Sequence, residues 1–385
     1  MKTAITAALL YTPAQAIDSP LVIIEDDLIV STSTRAASAV PPGARHLDFP
    51  GMVLAPGFID IHIHGGAGHD VMEGDDTAIA SIERHMLRHG VTSYLPTTVT
   101  APLKRTLTAL EHMGRRISNR ASSPDRAFPL GIHLEGPFIS HAKRGVHPKQ
   151  HLLQPSIDVF DRFWQAASGT IRMMTIAPEL AGAQETIRYT SGLGVQTSLG
   201  HSDASYEETT AAIAAGARHA THTFNAMRPL GHRDPGILGA VLTDPRVSAD
   251  LIADGLHLAP SIVKLVLAAK GSDRAILITD AISATGMPDG KYLLGEIEVE
   301  VKGARCDYEG KLAGSVLTLD HAVRNVMTFA EWSLQQTVQL ATLNPARLLG
   351  ISEQRGTVAA GCVADLVVLT PGCEVVKTFV AGQTI

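Results

Sequence analysis

From Gly51 onward the chain alternates short apolar, strand-like runs with helix-length amphipathic stretches. Eight such runs centre on residues 58–62, 93–97, 130–134, 173–177, 196–200, 220–224, 248–252 and 275–279. Between them lie helical patterns. Residues 77–89 carry apolar side chains at Ile79, Ile82, Met86 and Leu87, close to a 3.6-residue period. Ser205-Tyr206-Glu207-Glu208 has the spacing of a capping box ahead of an Ala-rich stretch, and Gly216 sits near its end. A further apolar-faced helix is expected over 261–270. Eight strand–helix alternations predict an α/β fold, a parallel (β/α)8 TIM barrel.

Both ends read differently. Residues 1–50 read as short strands punctuated by Pro41-Pro42-Gly43, and the chain returns to short strands around 364–369 and 375–380. We therefore expect a small β-sandwich domain built from both termini, 1–50 plus 350–385, on a barrel spanning 51–349. Residues 1–10 with Ala14-Gln15-Ala16 resemble a signal peptide and its cleavage site. The apolar stretch is short, one Lys precedes it, and a strand-like partner follows at 21–24, so a first strand is expected instead.

Composition excludes several classes of function. Lys+Arg 32 against Asp+Glu 38 gives a net charge of −6 with no basic block, so nucleic acid is not an expected partner. No apolar run approaches the ~20 residues that span a bilayer, so no membrane is expected either. Cys306, Cys362 and Cys373 are few, odd in number and not in a zinc-knuckle spacing, which suits a reducing cytoplasm. Gly65-Gly66-Ala67-Gly68 lacks the spacing of a dinucleotide fingerprint and no Walker pattern occurs. This glycine cluster is read as a tight turn after the first strand.

The informative feature is where ligand-type side chains fall. His62 and His64, two apart on one strand, share a face. Glu135 ends the third strand, His201 the fifth and Asp280 the eighth, and His222 lies in the sixth. Barrel enzymes build their sites at the C-terminal strand ends. Four imidazoles and two carboxylates thus converge on one mouth and can hold one or two divalent ions. Taken singly, each reads as a core or loop residue; the joint placement points to a metal centre. His85, His89, His112, His151, His219 and His321 lack that placement and read as surface or helix histidines. Asp60 reads as orienting the end of the first strand. His147, Arg233 and His257, on strand–helix loops, are candidate anion contacts.

Pro56-Gly57-Phe58-Ile59-Asp60-Ile61-His62-Ile63-His64-Gly65 resembles the first-strand signature of the amidohydrolase superfamily. His133-Leu134-Glu135-Gly136-Pro137-Phe138, Leu199-Gly200-His201-Ser202, Thr221-His222-Thr223-Phe224-Asn225-Ala226-Met227, Ala253-Asp254-Gly255-Leu256-His257, Thr279-Asp280-Ala281 and Leu312-Ala313-Gly314-Ser315 are similar, in order, to the N-acetylglucosamine-6-phosphate deacetylase family. The resemblance implies principal metal ligands Glu135, His201 and His222, and a second metal site at His62 and His64. It implies Asp280 as general acid/base and His147 near the scissile amide. It implies sugar-phosphate contacts at Val146, His147, Asn225, Ala226, Arg233, His257, Leu312, Ala313 and Gly314. The implied cofactor is one or two divalent ions per chain, zinc first, with iron, manganese and cobalt as alternatives. A homodimer is implied, with Arg233 able to reach across it. No Lys falls on a predicted barrel strand to bridge two metals as a carbamate, which leaves Glu135 as the bridging carboxylate. The competing readings are an adenine deaminase and a deacetylase of a different N-acyl sugar phosphate; a purine needs no phosphate clamp.

Overall fold

The computed structural model describes residues 2–13, 15–119 and 123–384. Met1, Ala14 and Ile385, which belong to the expected first strand, the cleavage-like triplet and the C-terminal strands, lie outside them. Lys2–Tyr11 is a ten-residue strand, paired antiparallel with Pro20–Glu25 and parallel with Arg45–Pro56. Leu366–Leu369 pairs with the other edge of Arg45–Pro56, and Val375–Phe379 pairs with Leu366–Leu369. Both termini therefore share one seven-stranded sheet. Its far edge returns to the C-terminal part, with Ile29 N–H donating to Cys362 O at 2.9 Å and Gly361 N–H to Ile29 O at 2.8 Å.

Strand alternation decides which core each residue joins. Leu54, Leu366 and Val368 turn into a core private to this sheet, with Ile5, Val22, Ile24, Ile29 and Phe379. Val53, Ala55, Val367 and Leu369 turn the other way, into the barrel core. The strand Arg45–Pro56 stays in the terminal sheet to its end, so the expected boundary after residue 50 falls inside it.

The barrel strands are β1 (Phe58–Ile63), β2 (Val91–Pro96), β3 (Ile132–Glu135), β4 (Ile171–Ile176), β5 (Gln196–Leu199), β6 (His219–Ala220), β7 (Ser248–Leu251) and β8 (Ala275–Leu277). Strands β3 to β8 pair parallel in sequence order, as do β1 and β2. Parallel bridges Thr97–His133 and Ile63–Ala281 join β2 to β3 and the chain after β8 to β1, closing the ring. Seven of the eight expected runs overlap a strand over most of their length, whereas the sixth does so only at Ala220, and His222, expected within that strand, lies in the turn beyond it. The sixth strand is only two residues long, because the chain turns immediately after Ala220.

The helices follow their signals. Asp76–Arg88 is capped by Asp75, whose carboxylate accepts from Thr77 N–H and Ala78 N–H, and it buries Ile79, Ile82, Met86 and Leu87. Tyr206–Ala215 carries the Ser205/Glu208 capping box and ends at Gly216. Pro260–Arg274 is broken by Gly271, whose φ of 64° is non-helical. A four-stranded antiparallel sheet, Gly290–Leu294, Ile297–Lys302, Arg305–Tyr308 and Lys311–Leu312, follows β8 and was not anticipated. Gly295 N–H anchors it to Asp70 Oδ2 at 2.7 Å.

Glu83 lies on the buried face of the first helix, 1% exposed. It accepts from Tyr94 Oη at 2.9 Å and pairs with Arg116 Nη2 at 2.6 Å. Burial raises its pKa, and the Arg116 guanidinium works against that rise. Arg116→Met strands a buried carboxylate, and an unfolding titration is expected to show a loss of about 3 kcal/mol. A change below about 1 kcal/mol would mean that the pair contributes little.

Candidate active site

The expected metal residues meet at the C-terminal mouth of the barrel. Glu135 is the hub. Its Oε1 lies 3.4 Å from His62 Nε2, 3.3 Å from His201 Nε2 and 3.1 Å from His222 Nε2. Its Oε2 lies 3.2 Å from His64 Nε2 and 3.5 Å from His147 Nε2. Asp280 Oδ1 lies 3.5 Å from His62 Nε2 and 3.2 Å from His64 Nε2. All seven side chains are buried. Two groups have ligand atoms within 4.8 Å of one another: His62, His64 and Asp280, and Glu135, His147 and His201. His222 Nε2, at 3.1 Å from His201 Nε2, sits beside the second group.

Backbone geometry aims these side chains. β5 ends at Leu199, β6 at Ala220 and β8 at Leu277, and His201, His222 and Asp280 follow with φ of 47°, 29° and 51°. Left-handed backbone at non-glycine residues costs about 1–3 kcal/mol each, and such strain gathers at functional sites. Asp60, fully buried, ties β1 to the chain after β8. It accepts from Thr279 Oγ1 at 2.6 Å and from His62 N–H at 3.2 Å, and burial pushes its pKa up to about 6. Gly65 allows the turn after β1: a Cβ there would lie 2.3 Å from His69 O.

The donor set fits a divalent cation. His64 Nδ1 faces Thr97 O at 3.1 Å and His201 Nδ1 faces Lys143 O at 2.9 Å. A carbonyl cannot donate, so each Nδ1 carries the hydrogen and each neutral ring presents a bare Nε2 lone pair. His62 Nε2 and His64 Nε2 are 3.2 Å apart. Two ring nitrogens that close share either a proton or a cation. Burial alone would lower the His64 pKa, yet hydrogen bonds to Asp280 and Glu135 raise it well above its ordinary value, so the metal-free ring holds a second proton on Nε2 that a bound cation would displace. Burial alone would raise that of Glu135, yet the surrounding imidazoles hold it well below the carboxylate range. Four imidazoles and two carboxylates suit the borderline divalent metals.

A cavity of about 300 Å³ opens onto this cluster. It is lined by His64, Glu135, His147, His201, His222 and Asp280, and by Val146, Asn225, Ala226, His257, Leu312, Ala313 and Gly314. His62, fully buried, stands behind them. Arg233 is the exception: it is exposed and does not line the cavity of its own chain. Lys143, Arg144 and Lys311 line it instead, none of them singled out from the sequence. His257 Nδ1 is engaged by Asp254 Oδ2 at 2.6 Å. His147 Nδ1 accepts from Thr100 N–H at 3.3 Å, so its Nε2 carries the proton. Burial lowers the His147 pKa to about 4, and the ring stays neutral at neutral pH. His219 corrects the sequence reading: it is 0% exposed inside the barrel, neither on the surface nor in a helix.

The amidohydrolase family pattern matches residues 53–385. The N-acetylglucosamine-6-phosphate deacetylase of Vibrio furnissii is 38% identical over 352 residues, 91% of this chain and 86% of that protein. The N-acetylgalactosamine-6-phosphate deacetylase of Escherichia coli O157:H7 is 39% identical over 332 residues, 86% of this chain and 87% of that protein. The structure of a variant N-acetyl-D-glucosamine-6-phosphate deacetylase from Mycobacterium smegmatis, in complex with N-acetyl-D-glucosamine-6-phosphate, superposes with a TM-score of 0.93. It is 34% identical, and the match covers 99% of this chain and 98% of that one. The chain belongs to the amidohydrolase family and, within it, to the N-acetylglucosamine-6-phosphate deacetylases.

Proposed function

We propose that the chain hydrolyses the acetamide of N-acetylglucosamine 6-phosphate to glucosamine 6-phosphate and acetate. The observation that carries this reading is the single cavity shared by the Glu135–Asp280–histidine cluster and the residues matching the family's sugar-phosphate contacts. Membership among the deacetylases removes the reason to consider an adenine deaminase.

Glu135, His201 and His222 would hold the principal ion, and His62 and His64 a second, with zinc first and iron, manganese or cobalt as alternatives. Bound there, a divalent ion supplies Lewis acidity, polarising an acyl oxygen and easing ionisation of a water near neutral pH. Asp280 is the proton carrier. Burial alone would raise its pKa, but the His62 and His64 imidazoles hold it down at about 2, so it is a carboxylate at neutral pH. It takes a proton from the attacking water, whose oxygen bonds to the acetamide carbon. His147 Nε2–H donates to the oxygen that becomes negative. Asp280 then passes its proton to the amine nitrogen as the C–N bond breaks, and acetate leaves.

His257 is assigned to the 6-phosphate, through charge-assisted hydrogen bonding. Arg233, outside its own cavity, is assigned to the cavity of a second copy in a homodimer, and the location to the cytoplasm. Acetate release from N-acetylglucosamine 6-phosphate, its unphosphorylated sugar and N-acetylgalactosamine 6-phosphate tests the reading. Turnover confined to the phosphorylated sugars supports it, and the ratio between those two fixes the epimer; no turnover on either would overturn it. His257→Ala is expected to lower kcat/KM on the phosphorylated substrate about 10–100-fold, one or two charge-assisted bonds' worth. Any residual activity on the unphosphorylated sugar should change less than about threefold. Equal losses on both would remove His257 from the phosphate.

A further inference from the structure

Barrel interiors are ordinarily filled by branched apolar side chains. Here the floor beneath the candidate metal centre is polar. His133, Thr175, Ser198, His219, Thr221 and Asp250 are all 0% exposed. Hydrogen bonds link His133 to His219, and Asp250 packs against the end of that chain on β7, the fifth strand involved. His133 Nε2 meets Thr175 Oγ1 at 2.8 Å, and Thr175 Oγ1 meets Thr221 Oγ1 at 2.8 Å. Thr221 Oγ1 bonds Ser198 Oγ, which meets His219 Nδ1 at 2.8 Å. His219 Nε2 then lies 3.6 Å from Asp250 Oδ2, a packing contact beyond hydrogen-bond distance. The proposed mechanism uses none of these groups.

The far end of the chain is where it bears on the site. β6 stops at Ala220, so the turn that presents His222 lies beyond the regular ladder. Asp250 takes over that role. Its Oδ1 accepts from His222 N–H, and its carbonyl oxygen accepts from Thr223 N–H at 3.0 Å. His222 has a φ of 29°, a conformation a histidine holds only when its surroundings over-determine it. Nothing bonds His222 Nδ1 among the described residues. The ring of this ligand is therefore aimed through its backbone rather than through a partner on its second nitrogen.

We propose that Asp250, backed by His219 and the hydroxyl chain behind it, is a positioning residue that locks the 221–223 turn so that His222 Nε2 faces the metal. The inference rests on the metal reading above. Partners behind a ligand typically contribute 10–100-fold in metal affinity.

The test compares Asp250→Ala, Asp250→Asn and Ser198→Ala with the unaltered chain. Zinc affinity is read by competition with a chromophoric chelator, and amide hydrogen exchange over 219–227 is read on the metal-free protein. Asp250→Ala is expected to weaken zinc binding about 10–100-fold and to expose the His222 amide to exchange. Asp250→Asn keeps an acceptor oxygen and should stay within about threefold. Ser198→Ala cuts the chain while leaving Asp250 in place; a loss of threefold or more with the thermal midpoint little changed supports the proposal if Asp250→Ala does not fold. Zinc affinity within twofold of native in Asp250→Ala or, where that variant does not fold, in Ser198→Ala would overturn it. So would equal losses in the alanine and asparagine variants. An unaltered chain that binds no zinc would overturn the metal reading and this inference with it, which separates the two failures.

Discussion

Asp280→Asn is expected to lower turnover of N-acetylglucosamine 6-phosphate by about 10²–10⁴-fold, the contribution of a positioned proton-transfer group. The substitution is nearly isosteric. An asparagine oxygen can occupy the place of Asp280 Oδ1, 3.2 Å from His64 Nε2 and 3.5 Å from His62 Nε2. The proposed principal ligand set, Glu135, His201 and His222, is untouched. Metal content and KM should therefore stay within about threefold while kcat falls, the signature of an interaction made only in the transition state. In the proposed mechanism two steps need the carboxylate, removal of the water proton and its delivery to the amine nitrogen. Among the described residues Glu135 is the one other carboxylate that lines the cavity, and it is surrounded by imidazoles. Acetate release with metal content counted on the same sample checks this. Turnover within tenfold of native would move the proton carrier to another group.

The fold was legible where one signal acted alone. Eight apolar runs gave eight strands, and the Ser205/Glu208 capping box appears as read. The sheet over 290–312 was missed although its signal is present: Ile297, Val299 and Val301 are buried while Glu298, Glu300 and Lys302 are exposed, a clean two-residue period. Attention to the strand–helix alternation passed over it. His219 was misread because burial inside a barrel depends on neighbours from other strands, here Ser198, 21 residues away. Lys143 O and Thr97 O, which fix the rings of His201 and His64, are backbone atoms, and no residue type announces them. That these side chains meet at one mouth was legible because ligand types at strand ends are rare in combination. Arg233 shows the reverse: the family motif places it at the phosphate, and the geometry of one chain does not.

Glu135→Gln should remove the metal as well as the activity. Five imidazole Nε2 atoms lie within 3.5 Å of the Glu135 oxygens, and this carboxylate touches both the His62/His64 pair and the His201/His222 pair. Glutamine keeps the shape and deletes the charge. Its NH2 also supplies hydrogens to Nε2 lone pairs that a cation would otherwise take. The expected result is a chain that loses bound metal on dialysis against buffer free of divalent ions, with turnover lower by about 10³-fold or more. That figure corresponds to the several kcal/mol that a Lewis acid supplies, at 1.36 kcal/mol per tenfold. Excess zinc should restore little, because the defect lies in the ligand and not in supply. The contrast with Asp280→Asn is the decisive part: both variants lose turnover, and only Glu135→Gln loses metal. A Glu135→Gln chain that keeps one ion and more than a tenth of native turnover would show that the histidines alone hold the ion and that Glu135 serves another purpose.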